Sequence, residues 1–252
     1  MHIAEASHYY DRTGAPVYQV KANSGEMRPT TLRDARKFGL VPSVTTVMSI
    51  LAKPQLERWK IQQAILASLT LPRPEGMSED DWLSAIIDDS RRQGVEAADL
   101  GTKVHAQIQG MYEGELWEPQ YTEYCEAVSN AMYKEFGAKK WLAEQSFAHP
   151  LNYGGKVDLA SEDKLIVCDF KTSSMNGDKL LKAGYEEHKI QLAAYRLGLG
   201  YEKATLANTY ISTSKPGEVF IKIYSEEEAL QATNQWLAIL ACWKALKNFG
   251  IG

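Results

Sequence analysis

An α/β protein of the α+β kind, with a helical region ahead of a sheet, follows from three observations on a 252-residue chain. Apolar residues recur at helical intervals as far as Phe136, the period changes to that of a strand at Trp141, and the order then runs three strands, helix, two strands, helix. A content of 44% hydrophobic and 24% charged residues fits a globular chain long enough for one large core or a core with a helical subdomain.

In chain order, residues 7–20 mix aromatic and polar side chains around Asp11-Arg12-Thr13-Gly14, which predicts a small hairpin or extended arm. A polar stretch without clear pattern follows. Ser43 is placed to cap a short helix reaching about Leu51, and Pro54 opens another that carries Leu56, Trp59, Ile61, Ala64, Ile65 and Leu69. Trp59 beside Lys53, Arg58 and Lys60 suits stacking on a base, but at helical spacing it reads more simply as core. The Pro-rich loop at 71–76 precedes a helix with Ser78-Glu79-Asp80-Asp81 at its start and Trp82, Leu83, Ile86 and Ile87 along it. From Gly94 a further helix runs to Gly114 and contains His105, and 119–136 form another. His105 shares its side with Gly101 and Gln109, which leaves room for a ligand; a hydrogen-bonded structural histidine is the plainer alternative. Strand 141–148, the hairpin 154–171, helix 183–199, strands 205–212 and 219–224 around Lys215-Pro216-Gly217, and a Ser225-capped terminal helix complete the chain.

A net charge of −4 gives no bulk attraction for nucleic acid, so phosphate binding would need local cations or a metal. Cys125, Cys168 and Cys242 form no CxxC pair and cannot supply a four-cysteine iron–sulfur cluster; an odd count does not suggest disulfides. A reducing, intracellular setting is expected, with no signal peptide and no membrane association.

The chemistry concentrates in Gly154–Lys171. Two apolar runs flank the polar turn Ser161-Glu162-Asp163-Lys164, so antiparallel pairing would carry Asp158 and Asp169 to neighbouring positions. Asp169 and Lys171 alternate onto one face and Phe170 onto the other. Converging carboxylates suit a hard divalent cation such as magnesium or manganese, and a lysine beside them can orient water. On spacing alone, the two acids read equally well as solvated strand ends.

Five segments in order, Gly101-Thr102-Lys103-Val104-His105, Glu144, Gly155-Lys156-Val157-Asp158, Asp169-Phe170-Lys171 and Gln191-Leu192-Ala193-Ala194-Tyr195, resemble the RecB-like branch of the PD-(D/E)xK nucleases over residues 95–200. Pro42-Ser43-Val44-Thr45-Thr46-Val47, with Leu56 and Trp59, is similar to the mitochondrial genome maintenance exonucleases and their phage and bacterial relatives. The resemblance implies a restriction-endonuclease-like core at 94–252, a mixed sheet flanked by helices, after an arm and helical region at 1–93, in one compact unit. It implies that His105, Asp158, Asp169 and the Phe170 carbonyl hold one or two magnesium or manganese ions. Lys171 would stand nearest the attacking water, with Glu144 as a further catalytic acid. Gln191, Tyr195, Lys103, Thr172 and Ser173 would contact DNA, although Tyr195 serves equally as core packing. Gln109, where many relatives carry an acid, departs from the pattern. No GxxxxGK[ST] motif is present, so any motor would be a separate partner. The implied activity is a DNA exonuclease acting on single-stranded ends in replication, recombination or repair, alone or with proteins of those processes, in a cytoplasm or, if phage-encoded, that of a host. A lambda-type duplex exonuclease with an annealing partner, and a noncatalytic DNA-binding module, are the alternatives.

Overall fold

The computed structural model describes residues 7–173 and 186–250. It divides into two compact units, residues 1–50 with 106–252 and, separately, 51–105.

The larger unit begins with β1 (Tyr9–Tyr10), β2 (Gln19–Lys21), β3 (Met27–Pro29), α1 (Leu32–Phe38), β4 (Val41–Pro42) and α2 (Val44–Met48). β1 pairs antiparallel with β4, and β2 with β3. The expected turn at Asp11–Gly14 is made by the Asp11 carboxylate, which accepts from Thr13 N at 2.8 Å and Ala15 N at 3.0 Å. Gly14 has φ +92°, and a Cβ there would stand 2.9 Å from Phe147 Cα, so only glycine fits. The unpatterned stretch holds α1, started by a capping box between Thr31 and Asp34 and stopped by Gly39 in the left-handed region. Ser43 caps α2 as its type predicts, accepting from Thr46 N at 2.9 Å, but the helix ends at Met48 rather than near Leu51.

In the smaller unit, α3 (Pro54–Thr70) begins at its proline, and α4 (Glu79–Glu113) runs on into residues of the larger unit. The two helices expected on either side of Gly94 are one. Gly94 has no positive φ and sits inside good helix formers, with Arg91–Asp88 and Arg92–Asp89 pairs one turn apart. A lone glycine costs a helix only about 1 kcal/mol, too little to break it. Its bareness is used: a Cβ at Gly94 would be 3.3 Å from the ring of Trp59, which packs half-buried against α4 there. Gly114, at φ +85°, ends α4 as expected.

A short 3-10 turn at Pro119–Tyr121 leads into α5 (Thr122–Phe136), and the sheet follows. Its strands are β5 (Trp141–His149), β6 (Tyr153–Ser161), β7 (Ile166–Ser173), β8 (Thr205–Ser212) and β9 (Val219–Tyr224), adjacent in that order. All neighbours are antiparallel except β7 and β8, so the sheet is mixed. α6 (Glu186–Leu199) lies between the parallel pair in sequence, as such a crossover requires, and α7 (Glu226–Lys247) closes the unit behind a Ser225 capping box. Residues 183–185 of the expected sixth helix lie outside the described residues. This mixed sheet flanked by helices, with further helices ahead of it, is the architecture the sequence predicts.

The β6–β7 turn is set by Ser161, whose hydroxyl accepts from Leu165 N at 3.1 Å and Ile166 N at 2.9 Å, while Lys164 takes φ 62°. Phe170 stacks on Tyr112 with ring centroids 6.3 Å apart, and Cys168 meets Thr209, which meets Met132. One sheet face is thus closed by α5 and the end of α4. α6 and α7 close the other: Tyr153 donates to the Ala194 carbonyl at 3.1 Å, and its ring lies 4.9 Å from that of Trp236. Among the described residues no helix is long and apolar enough to cross a membrane.

Candidate active site

The β6–β7 ladder pairs Ala160 with Val167 and Leu159 with Cys168. One step further the same register would set Asp158 opposite Asp169. There the ladder gives way to a side chain: the Asp158 carboxylate accepts the Phe170 N–H at 2.7 Å. The N–H and C=O of a residue in an extended strand leave by the same edge, so the Phe170 carbonyl also points to the side of β7 where Asp158 stands. Asp169, alternating away from Phe170, is buried and bonds Lys171 Nζ at 2.7 Å. Lys171 also donates to Gln191 Oε1 at 2.9 Å, and Gln191 Nε2 donates to the Tyr195 hydroxyl at 2.8 Å. Gln191 and Tyr195, four residues apart on α6, face the strands together.

Burial sets the electrostatics. It pushes the Asp158 carboxyl up, and the Lys171 ammonium, the Phe170 N–H and Lys156 only partly offset it. Burial alone would pull Lys171 down, but Asp169 and Asp158 outweigh it and raise the ammonium, so Lys171 is a cation. Burial, then the two carboxylates, drive the Tyr195 hydroxyl well above its ordinary range. His188, on α6, is held neutral at about 3 by burial and by Lys171.

The structure therefore brings together Asp158, Asp169, Phe170, Lys171, Gln191 and Tyr195. Glu144 is in β5 at φ 53°, at the step where the β5–β6 pairing skips, and its carboxylate pairs with Lys156. Thr172 and Ser173 end β7, half-buried and in register with Ile211 and Ser212 of β8. Lys103 and His105 are on α4 in the unit 51–105, where Lys103 pairs with Asp99 at 2.7 Å. Among the described residues no cluster of three His, Cys, Asp or Glu groups is close enough to hold a metal. By donor type, the two carboxylates and the Phe170 carbonyl fit magnesium or manganese. Magnesium is commonly held by one or two carboxylates, with water and substrate phosphate completing its shell.

No protein-family model matches the chain, and no curated protein matches it significantly. Among solved structures it is similar to the alkaline exonuclease LHK-Exo from Laribacter hongkongensis, at 14% identity and a TM-score of 0.41, over 76% of this chain and 94% of that one. It is also similar to a phage-related exonuclease from Haemophilus somnus 129PT, at 13% identity and a TM-score of 0.29, over 72% of this chain and 92% of that one. At values this low, the chemistry has to be read from the side chains themselves.

Sequence reasoning missed the layer behind the acids. Asn208 Nδ2 donates to Asp169 Oδ2 at 3.2 Å, and the Tyr224 hydroxyl donates to Asn208 Oδ1 at 2.9 Å. His188 Nδ1 lies 3.1 Å from the Tyr210 hydroxyl. Signals existed: Asn208 interrupts an apolar strand, and His188 precedes Gln191 by three residues on the same helical face.

Proposed function

We propose that the chain is a magnesium- or manganese-dependent deoxyribonuclease of the PD-(D/E)xK kind that hydrolyses phosphodiester bonds from DNA ends, with single strands as its preferred substrate. The observation that carries this reading is the meeting of Asp158, Asp169 and a cationic Lys171, with Lys171 bonded both to a carboxylate and to Gln191.

Asp158, Asp169 and the Phe170 carbonyl would hold the ion, with His105 as the further ligand that the sequence resemblance implies. When bound, the ion supplies Lewis acidity, which acidifies water and withdraws charge from a phosphate oxygen. Lys171, as an ammonium, donates and cannot accept a proton, so it orients the attacking water and offsets charge developing on the phosphate. Gln191 limits the rotamers open to Lys171. Tyr195 fixes Gln191 in turn, and its hydroxyl stays protonated as a hydrogen-bond partner.

Degradation of end-labelled DNA tests the reading, using linear and circular single strands and linear duplex, with magnesium, manganese or chelator. Expected are metal-dependent release of nucleotides from linear single strands, inert circles, and a loss on the order of a hundredfold to a thousandfold in Lys171→Ala. Full magnesium-dependent activity in Asp169→Ala would sink the assignment. Preference for duplex ends would favour the lambda-type alternative.

A further inference from the structure

Two directed hydrogen bonds stand behind Asp169. The amide nitrogen of Asn208 faces the Asp169 carboxylate, at 3.2 Å, and its amide oxygen faces the Tyr224 hydroxyl, at 2.9 Å. The single Tyr224 proton is then committed to Asn208. Asn208 is fully buried and Tyr210 and Tyr224 nearly so, and a buried amide in an apolar strand is costly unless its bonds are met. A second set of partners reaches the same carboxylate: Asp169 Oδ2 takes Lys171 at 2.7 Å, and Lys171 is held by Gln191. Asp169 is thus gripped from two sides, by Lys171 and Gln191 in front and by Asn208 and Tyr224 behind.

We propose that Asn208 and Tyr224 are positioning residues whose directed hydrogen bonds fix the orientation of the Asp169 carboxylate for metal binding. This rests on the reading of Asp169 as a metal ligand. Chains of aligned donors polarise one another, and partners that orient a ligand typically carry about a tenfold to hundredfold share of metal affinity or activity.

The test uses the full chain and compares Asn208→Ala, Tyr224→Phe and Thr209→Ser with the parent. Thr209 is next to Asn208 but bonds Cys168 and Met132 on the other side of the sheet, so it reports general damage to β8. Manganese titration by calorimetry should show Kd raised about tenfold to hundredfold in Asn208→Ala, less in Tyr224→Phe, and unchanged in Thr209→Ser. With DNA, kcat should fall with KM unchanged. Parental manganese affinity in a folded Asn208→Ala would overturn the proposal. A parent that neither binds manganese nor cleaves DNA would overturn the nuclease reading, whereas a parent that does both beside an unaffected Asn208→Ala would overturn the positioning role alone.

Discussion

Burial opposes a charge on Asp158. Its carboxyl is pushed up chiefly by burial, so the folded protein favours the neutral form more than the unfolded chain does. Asn at this position keeps an oxygen acceptor for the Phe170 N–H and removes the charge. Asp158→Asn should therefore raise the thermal midpoint measured in chelator, by roughly 2–4 °C for each kcal/mol relieved. Magnesium should then stabilise the parent and leave the variant unchanged, because an ion that binds only the folded state adds its binding free energy to stability. A lower midpoint in the variant would mean that the Asp158 anion contributes net stability through Lys171. The acid pair was legible in the sequence because a strand of period two with a four-residue turn fixes which residues meet. Asn208 and Tyr224 were not, because their partners come from across the β7–β8 and β8–β9 pairings, which no local pattern specifies.

Helix α6 can hold Gln191 at the strands only because it lies close to β5. A Cβ on Gly198 would fall 2.0 Å from the Phe147 ring, and one on Gly155 would meet the same ring at 2.9 Å. Phe147 is itself boxed in by Tyr153 and Tyr195, at centroid distances of 5.7 and 6.3 Å. Gly198→Ala should overpack this contact and cost about 1–3 kcal/mol in urea unfolding. Phe147→Leu in the same chain should return part of the loss, and additive losses in the double variant would show that the two positions do not compete for space. Elements with strong period and terminal signals, such as β8, β9 and α7, stand where the sequence places them. The failures have local causes. The single α4 was split at Gly94 by reading a packing glycine as a stop, and α1 was passed over although Thr31-Leu32-Arg33-Asp34 spells its capping box.

At the scale of the molecule, the sheet joins segments of very different separation. β5, β6 and β7 form a meander whose turns span a few residues, whereas each β7–β8 pair joins residues 39 apart, as Asp169 and Asn208 are. Long loops are slower to close than short ones, and long-range pairing lowers folding rates. The one parallel step in the sheet thereby becomes a matter of timing. The meander can bring Asp158 and Asp169 together before α6 and β8 arrive with the residues that orient them. In stopped-flow refolding, Gly198→Ala should speed unfolding in proportion to its destabilisation and leave the folding rate nearly unchanged. An equal loss in the folding rate would place α6 in the nucleus. A late-arriving α6 also makes the chain's latest contacts those that tune the carboxylates, so substitutions on that helix can reset the site while the early meander, and the acid pair with it, is left as it was.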